Sequence, residues 1–142
     1  MKLVPILSFQ GNCEEAFKFY ERCLGAQPGA LFRYGGSPMA NAVPPEWADK
    51  VMHANLTIGD QLIQAGDVLP AQYEEPKGFS LSLQIASAAD ADRIFGELAT
   101  NGTVRMPLEK TFWAERFGMV VDRFGVPWLI NCEGVDSASA SA

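Results

Sequence analysis

Histidine is nearly absent from this chain: of 142 residues only His53 carries an imidazole. A catalytic metal ordinarily takes about three nitrogen, sulfur or oxygen ligands, so composition alone excludes a multi-histidine site. Cysteine is scarce as well. Cys13, Cys23 and Cys132 are odd in number and lack the paired spacing of a zinc site, and free thiols in a reducing compartment are the simplest reading. Basic residues are in deficit, with 11 lysines and arginines against 17 acidic residues and a formal net charge of −6. That balance favours solubility and opposes binding to a phosphate backbone or an anionic membrane surface, so nucleic acid is not an expected partner. No apolar run approaches the roughly 20 residues of a membrane span, and no small-residue cleavage site follows Met1-Lys2-Leu3. A cytoplasmic location without membrane association is the expectation. No glycine-rich loop follows a strand and no parallel βαβ order is present, which leaves no site for a nucleotide or a methyl donor.

What is present is ordinary in kind and ordered in arrangement. Apolar residues make up 48% and charged residues 20% of the chain, as in a typical globular domain. Residues 2–9 read as a strand, which Gly11-Asn12 breaks; Asn12, followed three residues later by Glu15, has the spacing of a helix cap. Ala16, Phe17, Phe19, Tyr20 and Leu24 recur at helical spacing from Cys13 to Leu24, and Gly25 supplies the stop. Residues 29–34 read as a strand. An irregular stretch rich in Gly, Pro and Ala runs from Gly35 to Pro45, and a polar turn covers 46–49. Val51 to Ile58 and Gln61 to Gln64, separated by Gly59-Asp60, then form a hairpin.

The order βαβββ begins again after the Pro- and Glu-rich linker over 69–78. A strand from Phe79 to Ile85 leads to a helix from Ala88 to Ala99, the stop Asn101-Gly102, and extended stretches over 104–111, 119–122 and 127–132. We therefore read an α+β fold with a single domain over residues 1–134, made of two tandem βαβββ modules at about 1–68 and 77–134. Val135 to Ala142, rich in Ser and Ala with nothing to bury, reads as a disordered tail.

Strand residues alternate between faces, so a period of two separates a helix-packed side from its opposite. In the third strand Met52, Ala54, Leu56 and Ile58 oppose His53, Asn55 and Thr57; in the fifth, Phe79, Leu81, Leu83 and Ile85 oppose Ser80, Ser82 and Gln84. Gln64 and Asn131 fall on the polar sides of their strands. In one antiparallel sheet such alternation ordinarily means bulk solvent. Two half-sheets of like design point instead to curved mixed sheets that turn polar faces toward a ligand-sized cup. The candidate pocket residues are His53, Asn55, Gln64, Ser80, Ser82, Trp113 and Asn131. For His53 a hydrogen-bonded structural role and a pocket role stand level. Trp113 clusters with Phe112 and Phe117 around Glu109, Glu115 and Arg116, an arrangement suited to ligand stacking and equally to a dimer interface. Trp128 falls on the core side. Cys13 lies in the first helical turn, where backbone amides favour the thiolate and Glu14 and Glu15 oppose it; we read it as inert, and Cys23 and Cys132 as small buried residues.

The segment Ile6-Leu7-Ser8-Phe9-Gln10-Gly11-Asn12-Cys13-Glu14-Glu15-Ala16-Phe17-Lys18-Phe19-Tyr20, taken with Thr111-Phe112-Trp113-Ala114-Glu115-Arg116-Phe117-Gly118 and Asp122-Arg123-Phe124-Gly125-Val126-Pro127-Trp128-Leu129-Ile130-Asn131, resembles the PhnB-like family. That family lies within the glyoxalase, bleomycin resistance and extradiol dioxygenase (vicinal oxygen chelate) superfamily, and the resemblance extends to Glu133. It implies paired βαβββ modules, commonly dimeric or fused, and a small-molecule ligand. In enzymatic members it also implies a divalent metal held by His, Gln or Glu on the first and fourth strands of each module. Those positions fall here at Pro5, about Gln64, about Ser80 and about Leu129, with Asn131 two residues on. Pro5 and Leu129 have no ligating side chain, so we expect no glyoxalase-type metal site and assign no cofactor. Three readings follow. The favoured one is a metal-free small-molecule binding protein, as in the antibiotic-resistance branch, and a homodimer. The second is a superfamily enzyme, a lyase or oxidoreductase, acting on a small oxygen-bearing metabolite with His53 as base or with an altered ligand set. The third is a dimeric interaction module.

Overall fold

The computed structural model describes residues 1–134, and the tail expected over 135–142 lies outside them. The chain divides into two compact units, Met1–Glu74 and Glu75–Ala142. The first contains β1 (Ile6–Phe9), α1 (Cys13–Leu24), β2 (Gln27–Arg33), β3 (Val51–Ile58) and β4 (Gln61–Asp67). Short 3₁₀ turns at Ala40–Ala42 and Pro45–Trp47 punctuate the passage from β2 to β3. The second contains β5 (Leu81–Gln84), α2 (Ala88–Ala99), β6 (Thr103–Glu109), β7 (Arg116–Val121) and β8 (Pro127–Cys132). Each unit forms one four-stranded mixed sheet, ordered β1-β4-β3-β2 in the first and β5-β8-β7-β6 in the second. The first strand of each module pairs in parallel with the fourth, and the remaining pairs are antiparallel.

Each helix packs on one face of its sheet and supplies half of a core. From α1, Cys13, Ala16, Phe17, Phe19, Tyr20 and Cys23 are buried, against Leu7, Phe9, Ala54, Leu56, Ile63 and Ala65 of the strands. From α2, Ala91, Phe95 and Leu98 are buried, against Val120, Trp128, Ile130 and Cys132. A fully buried leucine such as Leu56 contributes about 2 kcal/mol through removal of its surface from water. Gly25 ends α1 with φ 66°, a left-handed conformation that a side chain would strain.

Sequence and structure differ where pairing partners lie far along the chain. Asn12 makes no side-chain cap bond, its backbone (φ −120°, ψ 24°) being outside the extended region. The carboxylate of Asp67 acts at that end instead, its Oδ1 accepting the Gly11 and Cys13 N–H groups at 2.9 Å each. β4 continues past Gln64 to Asp67 because parallel pairing with β1, from Ile6↔Gln64 to Phe9↔Asp67, gives those residues ladder partners. β7 begins at Arg116, three residues earlier than the apolar run implies, through pairing of Arg116 with Cys132. β1 and β5 are shorter than their apolar runs, with Leu3 and Phe79 exposed beyond their ends. In β3 the alternation slips: Val51 is buried and Met52 only half-buried, next to a register irregularity where Phe32 and Arg33 meet β3. Ile58, expected on the core face, is also half-buried. The outer strands β2 and β6 are exposed at all but one position, each carries a proline, Pro28 or Pro107, and each has register irregularities against its neighbour.

Candidate functional site

The face of each sheet opposite its helix holds nearly all the polar residues singled out from the sequence. In the second unit two rows cross the strands. Ser82, Leu129, Met119 and Met106 are register partners in one, and Gln84, Asn131, Phe117 and Glu109 in the other. Asn131 Nδ2 donates to Gln84 Oε1 at 2.8 Å, and Gln84 Nε2 donates to Ser82 Oγ at 2.8 Å. Three neutral side chains thus hold one another in a hydrogen-bonded line.

Beside that line stands an aromatic group. Thr111 Oγ1 accepts the N–H groups of Trp113 (3.3 Å) and Ala114 (3.0 Å), a local turn that sets the Trp113 backbone. The Trp113 indole meets Phe117 edge to face, centroids 5.3 Å apart, and Phe112 at 4.7 Å. Since Phe117 is the register partner of Asn131, the aromatic group adjoins the polar line. Trp113 is 47% exposed, which leaves indole surface available for stacking.

In the first unit His53 and Asn55 lie on one face of β3, with His53 Nε2 3.1 Å from Asn55 Oδ1. Gln64 is the register partner of Asn55, and Phe32 that of His53. The candidate residues therefore fall into two groups: His53, Asn55 and Gln64 on the first sheet, and Ser82 and Asn131 with neighbouring Trp113 on the second. Ser80 precedes β5 and belongs to neither row. At the positions where metal ligands were implied, Pro5 and Leu129 present only carbon, and Gln64 and Ser80 supply one amide and one hydroxyl. The Pro5 carbonyl is engaged by Gln64 N–H at 3.0 Å. Among the described residues no three His, Cys, Asp or Glu side chains come together to hold a metal ion. The donor set does not fit a glyoxalase-type metal.

Sequence reasoning did not single out a second feature of the first unit. A cleft of about 450 Å³ is lined by Gly11, Glu14, Arg33, Asp49, Lys50, Val51 and Asp67. Arg33 and Glu14 engage each other, whereas Lys50 and Asp67 engage backbone groups. Arg33 forms a fork on Glu14, at 2.7 and 3.3 Å, and also donates to the Asp49 carbonyl at 2.8 Å. Lys50 Nζ donates to the Gly11 carbonyl at 2.9 Å, and Asp67 Oδ2 accepts Val51 N–H at 2.9 Å. The hydrogen bond from Arg33 holds the Glu14 carboxyl below its usual range, and Glu14 in turn raises Arg33. Burial raises the Cys13 thiol, with Asp67 and Glu14 adding to the effect, which favours its neutral form. Tyr34 donates to the Asp67 carbonyl at 2.6 Å, and burial raises its hydroxyl. These bonds tie strands and helix together. No local motif announces them, because their partners are up to 56 residues apart.

Comparison with known proteins agrees with this architecture. Residues 2–130 match the profile of the Glyoxalase/Bleomycin resistance protein/Dioxygenase superfamily. Protein YjdN of Escherichia coli (strain K12) is 37% identical over 139 residues, spanning 92% of this chain and 95% of YjdN. Protein PA1353 from Pseudomonas aeruginosa has a crystal structure with TM-score 0.85 at 48% identity, over 95% of this chain and 99% of that one. The PhnB protein from Bacillus cereus, described as a putative 3-demethylubiquinone-9 3-methyltransferase, gives a TM-score of 0.80 at 25% identity, over 93% and 99% of the two chains.

Proposed function

The chain belongs to the Glyoxalase/Bleomycin resistance protein/Dioxygenase superfamily, among its PhnB- and YjdN-like members, and on that premise we propose that it is a small-molecule binding protein. Its ligand rests on a sheet face that the packed helix leaves open, held by hydrogen bonds and aromatic contact and not by a glyoxalase-type metal. The observation that carries this reading is the line of Asn131, Gln84 and Ser82 beside the Trp113 and Phe117 rings. Amide and hydroxyl groups already fixed by one another lose little freedom when a ligand arrives, and the half-exposed indole offers a stacking surface. His53, Asn55 and Gln64 provide a corresponding polar group on the first sheet, and Ser80 adds a hydroxyl ahead of β5. The protein acts as a cytoplasmic homodimer in this reading. Its net charge of −6 supports a soluble life, and exposed Val104 supports an interface.

Titration of the purified chain with small aromatic and oxygen-bearing metabolites, followed by tryptophan fluorescence, tests the reading. Trp113→Ala and Asn131→Ala are each expected to weaken binding about tenfold with the fold retained. Unchanged affinity in both would remove the second sheet as a ligand surface. A stoichiometric divalent ion that disappears in His53→Ala would overturn the metal-free reading and favour an enzyme centred on His53.

A further inference from the structure

Building on the open face of the second sheet as a ligand surface, we infer that this face selects an organic cation carrying an apolar body. Of the residues that stand in register across it, Glu109 alone is charged. Glu109 is the cross-strand partner of Phe117, which puts their Cβ atoms about 5 Å apart. Phe117 meets Trp113 and Trp113 meets Phe112, so Glu109 stands in register with the first ring of a cluster of three. Glu109 is exposed, and its side chain makes no hydrogen bond or ion pair with any described residue. Arg116, the cation next to Phe117 in sequence, alternates to the opposite face and is engaged there with Asp92 Oδ1 at 2.9 Å and the Glu115 carbonyl at 2.8 Å. It does not neutralise Glu109.

The rest of the face fits the same ligand. Met106, Met119 and Leu129 form an adaptable apolar floor, and Ser82, Gln84 and Asn131 add polarity without charge. Aromatic faces attract cations through their quadrupole, and a free carboxylate repels anions, so both features discriminate in one direction. The class is an ammonium, guanidinium or quaternary amine attached to an aromatic or aliphatic group.

Calorimetric titration of the full chain with benzyltrimethylammonium, benzyl alcohol and phenylacetate tests the inference. The cation is expected to bind at least about fivefold more tightly than the other two, a margin that shrinks as salt is raised. Glu109→Gln should abolish that margin while leaving benzyl alcohol affinity unchanged, and Trp113→Leu should weaken the cation and the alcohol together. Equal binding of the three probes, or a cation preference that survives Glu109→Gln, overturns the charge selectivity and leaves small-molecule binding standing. Binding of none of the three overturns both.

Discussion

The two units share a strand order, yet each is held by a buried aspartate of a different reach. Asp67, 2% exposed, accepts N–H groups from Gly11, Cys13 and Val51, which lie 56, 54 and 16 residues away. Asp122, 3% exposed, accepts those of Phe124, Val126 and the Trp128 indole, only 2, 4 and 6 residues on. Both carboxylates are buried, and each accepts three neutral N–H donors. The first fastens the start of a helix, a turn and the start of a strand to the end of β4. The second closes the β7–β8 turn on itself. One topology can thus be secured by distant ties or by local ones.

The contrast is sharpest in stability. Asp67→Ala leaves three inward-facing N–H groups in separate elements without acceptors and should cost about 4 kcal/mol, read from urea unfolding at neutral pH. Amide exchange should accelerate together at Gly11, Cys13 and Val51. Asp122→Ala should cost about 3 kcal/mol, with faster exchange confined to the β7–β8 turn. A larger loss for Asp122→Ala, or exchange that spreads beyond its turn, would break the distinction between long and short ties.

The helix starts carry the same contrast at smaller scale. Ser87 Oγ accepts Asp90 N–H at 3.1 Å, a local cap for α2, whereas α1 takes its acceptor from Asp67. Ser87→Ala should therefore cost about 1 kcal/mol and Asn12→Ala only about 0.2 kcal/mol. Comparable losses at the two positions would show that Asn12 caps after all.

The acid response of the Arg33–Glu14 pair is small as well. The folded carboxyl of Glu14 sits below its usual range, so its contribution is fully present above the ordinary glutamate value and is lost as pH falls through the lowered folded value. Both side chains are about 40% exposed, which limits the pair to ~0.5 kcal/mol after solvent screening. Arg33→Met should return Glu14 to the ordinary glutamate range in an NMR titration and remove that portion of the acid sensitivity. An unmoved Glu14 would refute the assigned cause.

Periodicity carried much of the fold. The spans Cys13–Leu24 and Ala88–Ala99 could be read residue for residue, because helical burial repeats within a few positions and Gly25 and Asn101-Gly102 mark the stops. The hairpin at Gly59-Asp60 was legible for the same reason. What depended on remote partners was not: the length of β4, the early start of β7 and the acceptor at α1 all follow from pairing across the sheet. The polar faces were readable from alternation, and His53, Asn55 and Gln64 do share one. The hydrogen-bonded sequence from Asn131 to Ser82 was less so, since Gln84, its middle member, carries no motif. Asp67 and Asp122 left no signal, as a buried carboxylate looks like any surface one until its donors are known.

The prolines in the outer strands bear on how this chain keeps company with copies of itself. β2 and β6 lie bare along nearly their whole length, the circumstance in which one sheet templates the growth of another. Pro28 and Pro107 each remove a donor from that edge, and the register irregularities beside them bend the remaining ones out of line. An incoming strand would find its ladder broken after a few residues. Two full strands can therefore stand open to water without seeding fibrous assembly, since along β2 and β6 the broken ladder opposes growth through shared backbone.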